Sequence, residues 1–167
     1  MKNETKRLAT LSVLVALAMI LSYVESLIPA FVAIPGVKLG ISNIVTVFAL
    51  YILGAPSAIM LSVVRVSLSA LLFGSPVTFI YSLSGAILSF VFMYLLYRID
   101  IFSSVGVSAV GGIMHNAGQV ICAALIMENG GIVTYLAPLA VTGTLSGVVI
   151  GVVAGILVKR LQKHIKV

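Results

Sequence analysis

Six apolar runs, separated by short segments rich in Pro, Gly or charge, occupy most of this chain. Only 8% of the 167 residues are charged, against roughly 25% in ordinary soluble domains. So few polar side chains cannot cover a protein of this size, which excludes a soluble globule. Because a membrane crossing takes about 20 residues, six crossings leave no room for a separate soluble domain. Any ATPase module that the function requires is therefore expected on another polypeptide.

The apolar runs and their Pro and Gly breaks predict an all-α integral membrane protein, with one transmembrane domain over residues 1–167. The six predicted transmembrane helices span about 8–28, 40–53, 57–73, 77–97, 103–127 and 132–158. The second run is short for a full crossing. The longest connection, 29–39, precedes it and contains the pair Pro35-Gly36.

Basic residues cluster at the two ends of the chain, with Lys6 and Arg7 before the first run and Lys159 and Arg160 after the last. The positive-inside rule then places both termini in the cytoplasm, which requires an even number of crossings. We therefore interpret the net charge of +6 as a topology signal of a multi-pass protein of the cytoplasmic membrane. No nucleic-acid partner is expected.

Residues for catalysis or metal binding are scarce. Cys122 is the single cysteine, which excludes an intrachain disulfide and a cysteine-based metal site. Asp100 is the single aspartate, and His115 has no nearby carboxylate, so neither a magnesium site for diphosphate chemistry nor a catalytic metal site is expected. No phosphate-binding glycine motif follows a strand. We expect no catalytic residue, no metal and no cofactor, and hence no enzyme.

Small residues at four-residue spacing predict close helix packing. The sixth run has a glycine groove formed by Gly143, Gly147, Gly151 and Gly155. For this groove, packing inside the molecule is the favoured interpretation. In the first run Ser12 and Ala16 share one face, which can either pack internally or dock a partner helix.

Arg65 lies in the middle of the third run, with Ser62 and Ser69 on the same helical face. A charge at that depth costs between about 2.5 and 17 kcal/mol, so it must face a counter-charge or a cavity. Two interpretations remain open for Arg65. It forms a fixed ion pair, for instance with Glu25, or it binds an anionic or zwitterionic ligand.

Glu25, Lys38 and Asn43 lie near the predicted outer interface, where they are either solvated by headgroups or in contact with a ligand. The fifth run contains His115, Asn116 and Gln119, the densest polar cluster within any apolar run. Buried amides and imidazoles need hydrogen-bond partners in hydrocarbon. They are therefore expected either to bond to neighbouring helices or to line a binding cavity in the outer half of the membrane, beneath the 29–39 connection.

Four stretches carry a family resemblance: LSYVE at 21–25, PGVKLG at 35–40 with Asn43 after it, YSLSG at 81–85 and HNAGQ at 115–119. With these stretches the chain resembles small bacterial membrane proteins called the Gx transporter family, also labelled heptaprenyl diphosphate synthase component I. That family is similar to the substrate-binding S components of energy-coupling factor transporters.

The S-component resemblance implies six helices, a capping loop between the first two, and an outward-facing pocket. It implies a subunit for uptake of a small vitamin-like or cofactor-precursor solute, energised by separate scaffold and ATPase subunits. S components often dock their scaffold through an Ala-x3-Ala pattern on the first helix, for which this chain has Ser12-x3-Ala16. The second label implies instead a noncatalytic membrane partner of a prenyl diphosphate synthase subunit.

Overall fold

The computed structural model describes residues 2–27 and 40–163, so Lys38 and the rest of the 29–39 connection lie outside the described residues. The described part is helical throughout, with short turns between its elements. The α-helices are α1 (Lys2–Leu27), α2 (Asn43–Ile52), α3 (Ala55–Phe73), α4 (Pro76–Ile99), α5 (Ser104–Ile126) and α6 (Leu136–Leu161). A short 3-10 helix, Gly130–Tyr135, precedes α6.

Helix starts coincide with the breaks seen in the sequence. At α4 the Ser75 side chain accepts a hydrogen bond from the Thr78 backbone N–H, and the Thr78 hydroxyl accepts one from the Ser75 N–H. This reciprocal pair satisfies two of the donors that a helix leaves free at its N-terminus. Pro76 follows at the first helical position, where its missing N–H costs nothing.

Three helices start three or more residues away from the predicted spans. α1 begins at Lys2, six residues before the apolar run, because the polar residues there include no helix breaker. α2 begins only at Asn43, since Gly40 has a φ of 71° and the chain turns before the helix. α6 begins at Leu136, because the residues from Gly130 form the separate 3-10 turn capped by Asn129.

Five of these helices are long and apolar enough to cross a membrane. Their outward faces carry large apolar side chains such as Val13, Leu71 and Val149, which are 68%, 81% and 62% exposed. Such a surface needs lipid around it, which indicates a multi-pass membrane protein. The remaining helix, α2, has 10 residues and a length of about 15 Å, which is roughly half the hydrocarbon thickness of a bilayer.

The helices run alternately up and down, so that both ends of the described chain lie at the same end of the bundle. Near the start of α1, Arg7 donates to the Ser57 hydroxyl at 2.7 Å, beside the α2–α3 turn. The rings of Tyr51 and Tyr97 are 5.1 Å apart, which puts the ends of α2 and α4 at that level.

The short helix α2 lies at the centre of the bundle. Its side chains Val47, Ala49 and Leu50 are almost completely buried, and α1, α3 and α6 pack around them. α4 packs against α3 and α5, and α5 packs along α6. Because α2 is short, its N-terminus lies inside the bundle and not at the level where the neighbouring helices end.

Close contact between α5 and α6 occurs along the predicted glycine groove. A Cβ atom at Gly147 would lie 2.5 Å from the Ser108 carbonyl oxygen, and one at Gly151 would lie 2.6 Å from Val105 Cα. Gly143 faces the backbone of Gly112, while Gly155 faces the Ser104 side chain. At the first three positions the neighbour is backbone, which cannot rotate away as a side chain can, so only glycine allows this approach.

Ser12 and Ala16 lie on the exposed side of α1 and take no part in packing within the described residues. The buried face of α1 is formed by residues at the alternative three- and four-residue spacings, among them Leu11, Leu14 and Ala18. The Ser12 face is thus exposed within the described residues, and docking of a partner helix there stays a prediction.

Candidate functional site

Arg65 occupies the middle of α3 and is 8% exposed. Its Nη1 donates to the Ser42 hydroxyl at 2.9 Å and its Nη2 to Asn43 Oδ1 at 3.0 Å. Both partners come from the N-terminal end of α2, which the short length of that helix brings to the depth of Arg65. The guanidinium is thus held by its two terminal nitrogens. Its buried Nε has no hydrogen-bond partner among the described residues.

Glu25, near the end of α1, is also 8% exposed. Its Oε1 accepts a hydrogen bond from the Gly40 backbone N–H, and its Oε2 is 3.4 Å from the Ser42 hydroxyl. The Ser42 hydroxyl therefore stands between the carboxylate of Glu25 and the guanidinium of Arg65. Within the described residues the two charged groups form no direct ion pair, although each lowers the cost of burying the other.

A cavity of about 50 Å³ lies against these groups and is lined by all five helices from α1 to α5. Glu25, Asn43 and Arg65 form one side of it, and His115 and Gln119 of α5 form the other. His115 and Gln119 face the same way because residues four apart share a helix face. Hydroxyl groups complete the polar part of the wall, from Ser22, Ser42, Ser69 and Ser82.

The structure thus brings together five of the seven residues that the sequence suggests for a binding site: Glu25, Asn43, Arg65, His115 and Gln119. Lys38 lies outside the described residues. Asn116 is turned away from this cavity and lines a neighbouring one of about 30 Å³, together with Ser89 and Ser108. Its Nδ2 donates to the Leu139 carbonyl of α6 at 2.6 Å.

Variants of Asn116 and Gln119 are expected to distinguish a residue that packs helices together from one that binds the solute. Asn116→Ala removes the bond to Leu139 and should lower stability by about 0.5–2 kcal/mol, as interhelical bonds in membranes do. Gln119→Ala shortens a half-buried side chain at the cavity and should leave the melting temperature near that of the wild type, while solute retention falls. Thermal unfolding in detergent and solute retention would be measured for both variants. A stable Asn116→Ala protein that loses its solute would contradict this assignment.

None of the four serines of the cavity wall was among the sequence candidates for binding, and Ser22 and Ser42 are the two that are buried. Ser22 lies one helical turn before Glu25, and its buried hydroxyl has no partner among the described residues. Ser42 directly precedes Asn43 and is 1% exposed. A signal for Ser22 exists in the three-residue spacing to Glu25. Serine in a membrane helix more often bonds to its own helix backbone, which makes that signal weak.

Arg65 can donate further hydrogen bonds from a fixed position. Three of the five guanidinium N–H groups are not used by described residues, and one of them is the buried Nε–H. An unused donor in a buried site costs about 1–3 kcal/mol, which an acceptor in the cavity would recover. The surrounding hydroxyl and amide groups can donate or accept. The arrangement therefore suits a small solute with a negatively charged group, or ordered water in its place.

Comparison with known proteins gives one family. The family model described as heptaprenyl diphosphate synthase component I matches residues 14–157. No curated protein and no solved structure matches the chain. The matched range includes every described residue of the cavity wall, from Ser22 to Gln119. The chain belongs to the heptaprenyl diphosphate synthase component I family.

Proposed function

We propose that this protein is a membrane-embedded binding subunit for uptake of a small anionic or zwitterionic solute. The observation that carries the proposal is Arg65, buried at a polar cavity inside a bundle of apolar helices, with three N–H groups that no described residue uses. Cations within membrane segments most often mark a ligand or ion pathway. The protein acts by binding and release, without catalysis.

A purely structural ion pair is the competing explanation for Arg65. Such a pair would join Arg65 directly to Glu25, whereas the Ser42 hydroxyl stands between the two groups. Two N–H groups of Arg65 are used to fix its orientation on α2, and the rest are left for another acceptor. This geometry favours a cation prepared for a ligand.

The size of the cavity limits what it can hold in this conformation. A volume of about 50 Å³ corresponds to about three or four water molecules. That space accepts a charged group such as a carboxylate, or a very small solute. A vitamin-sized molecule would need the helices around the cavity to move apart, since pockets for such ligands measure about 300–1,000 Å³.

Energy for uptake would come from separate scaffold and ATPase subunits. The exposed face of α1 with Ser12 and Ala16 supports this part of the proposal, because small side chains allow a partner helix to approach closely.

We place the protein in the bacterial cytoplasmic membrane with both termini in the cytoplasm. In a Cys122→Ala background, a cysteine at Gly130 should react with a membrane-impermeant maleimide added to intact cells. A cysteine at Gln162 should react only after permeabilisation. Both positions are exposed, and a Cβ atom at Gly130 meets nothing within 4 Å. The opposite labelling pattern would overturn this orientation.

Mass spectrometry of small molecules released from gently purified protein tests the binding proposal. We expect a small polar solute that carries a negatively charged group and is present in near-stoichiometric amount. A preparation of assembled protein that never contains or takes up such a solute would count against the proposal.

A noncatalytic accessory role in heptaprenyl diphosphate synthesis is the second candidate, and the description of the matching family favours it. The words "component I" imply a second component, which would be a prenyl diphosphate synthase subunit. Affinity purification from membranes distinguishes the two roles. Stoichiometric recovery of such a subunit, with synthase activity that depends on this chain, would support the accessory role.

A further inference from the structure

The charges that the described residues bring to the cavity cancel each other. Among the described residues of its wall, Glu25 and Arg65 carry opposite charges, and His115 is the other titratable group. Beside these described residues, an anionic solute would add a negative charge with no counter-charge left for it inside the membrane, where an uncompensated charge is costly. A solute that carries its own positive charge avoids that cost.

The two charges also lie close together on the same wall. The Ser42 hydroxyl is 2.9 Å from Arg65 Nη1 and 3.4 Å from Glu25 Oε2. The Glu25 carboxylate receives only neutral donors, the Gly40 N–H and the Ser42 hydroxyl, and forms no ion pair with a described residue. A carboxylate has about four acceptor positions, so Glu25 can accept further bonds. One cation and one anion thus face the cavity, each with unused hydrogen-bonding capacity.

We infer that the solute is a small zwitterion whose ammonium and carboxylate groups lie on the same carbon or on neighbouring carbons. This inference rests on the proposed function and narrows its solute class. The carboxylate binds unused N–H groups of Arg65, and the ammonium group binds Glu25. Because the cavity measures only about 50 Å³, it favours the smallest zwitterions, of which glycine and β-alanine are examples.

Matched sets of small probes test this inference on the purified full chain in lipid nanodiscs. β-Alanine is compared with propionate, which lacks the ammonium group, and with ethylamine, which lacks the carboxylate. Glycine is compared in the same way with acetate and methylamine. Binding is measured by equilibrium dialysis at pH 8, where an ordinary histidine is neutral. At least one zwitterion should bind about tenfold or more tightly than both of its single-charge analogues.

Glu25→Gln supplies the matched variant. The amide keeps an oxygen that can accept the Gly40 N–H bond, so the fold around the cavity should persist. The variant should lose most of the preference for β-alanine over propionate, because the partner of the ammonium group is gone. A ratio of two affinities in one preparation is insensitive to a change in the fraction of folded protein. An unchanged ratio would overturn the role of Glu25 and with it the inference.

Failure of this inference and failure of the proposed function are distinguishable. Suppose that propionate binds as tightly as β-alanine, or acetate as tightly as glycine, and that Arg65→Met abolishes that binding. The inference of a zwitterionic solute is then wrong, while the proposed solute-binding function is supported. If no probe binds, the inference is overturned, and the mass spectrometry described above decides the function separately.

Discussion

Replacing Arg65 by methionine is expected to abolish solute binding while leaving an assembled protein. Methionine fills a similar volume, and it removes the guanidinium whose buried Nε has no partner among the described residues. A charged hydrogen bond contributes about 1.5–3 kcal/mol, so the affinity should fall by roughly 10- to 100-fold or more. Glu25 keeps the bonds from Gly40 and Ser42, so its carboxylate stays hydrogen-bonded in the variant.

Arg98→Met is the matched control for loss of an arginine. Arg98 is exposed near the end of α4, with its guanidinium 6.0 Å from the centre of the Tyr94 ring. Solute retention and thermal stability would be measured for both variants in the same detergent. Full affinity in Arg65→Met would contradict the assignment of the site. If the Arg65→Met protein were unfolded while the Arg98→Met protein were stable, the result would indicate that Arg65 has a structural role.

Gly147→Leu should strongly impair folding. A Cβ atom there would lie 2.5 Å from the Ser108 carbonyl oxygen and 2.7 Å from Ala109 Cα, so the backbones of α5 and α6 would have to separate. Overpacking of this kind costs about 3 kcal/mol or more when the neighbour is rigid. We expect a large fall in the yield of folded protein and in its melting temperature in detergent.

Gly130→Leu is the control for adding the same side chain, because a Cβ atom at Gly130 meets nothing within 4 Å. It should unfold close to the wild-type temperature. If Gly147→Leu were as stable as Gly130→Leu, the close approach of α5 and α6 would not be needed for the fold.

The helices could be predicted from sequence because lipid imposes a simple rule on long apolar segments. The six runs correspond to α1–α6, and helix-starting residues such as Ser75 and Pro76 mark where a helix begins. The start of α2 was harder to predict, since the predicted run from Gly40 includes the turn that precedes the helix at Asn43. Composition alone does not reveal where a helix stops inside a protein interior.

The grouping of Glu25, Arg65, His115 and Gln119 could be anticipated because polar groups in membrane helices must avoid lipid. The direction in which each side chain points inside the bundle depends on the rotation of its helix about the helix axis. The spacing of residues in the sequence does not specify that rotation. Asn116 follows His115 directly, yet it points to α6 and bonds to Leu139. For the same reason the small residues at Ser12 and Ala16 did not reveal that their face is exposed.

An experimental structure of the protein in a lipid nanodisc, at a resolution that shows ordered water, tests the central claim most directly. We expect density for a solute in the cavity, with an acceptor atom at hydrogen-bond distance from an N–H group of Arg65. We also expect the Ser42 hydroxyl to lie between Arg65 and Glu25. A direct ion pair between these two side chains, with a cavity that holds only water after incubation with the released solute, would contradict it.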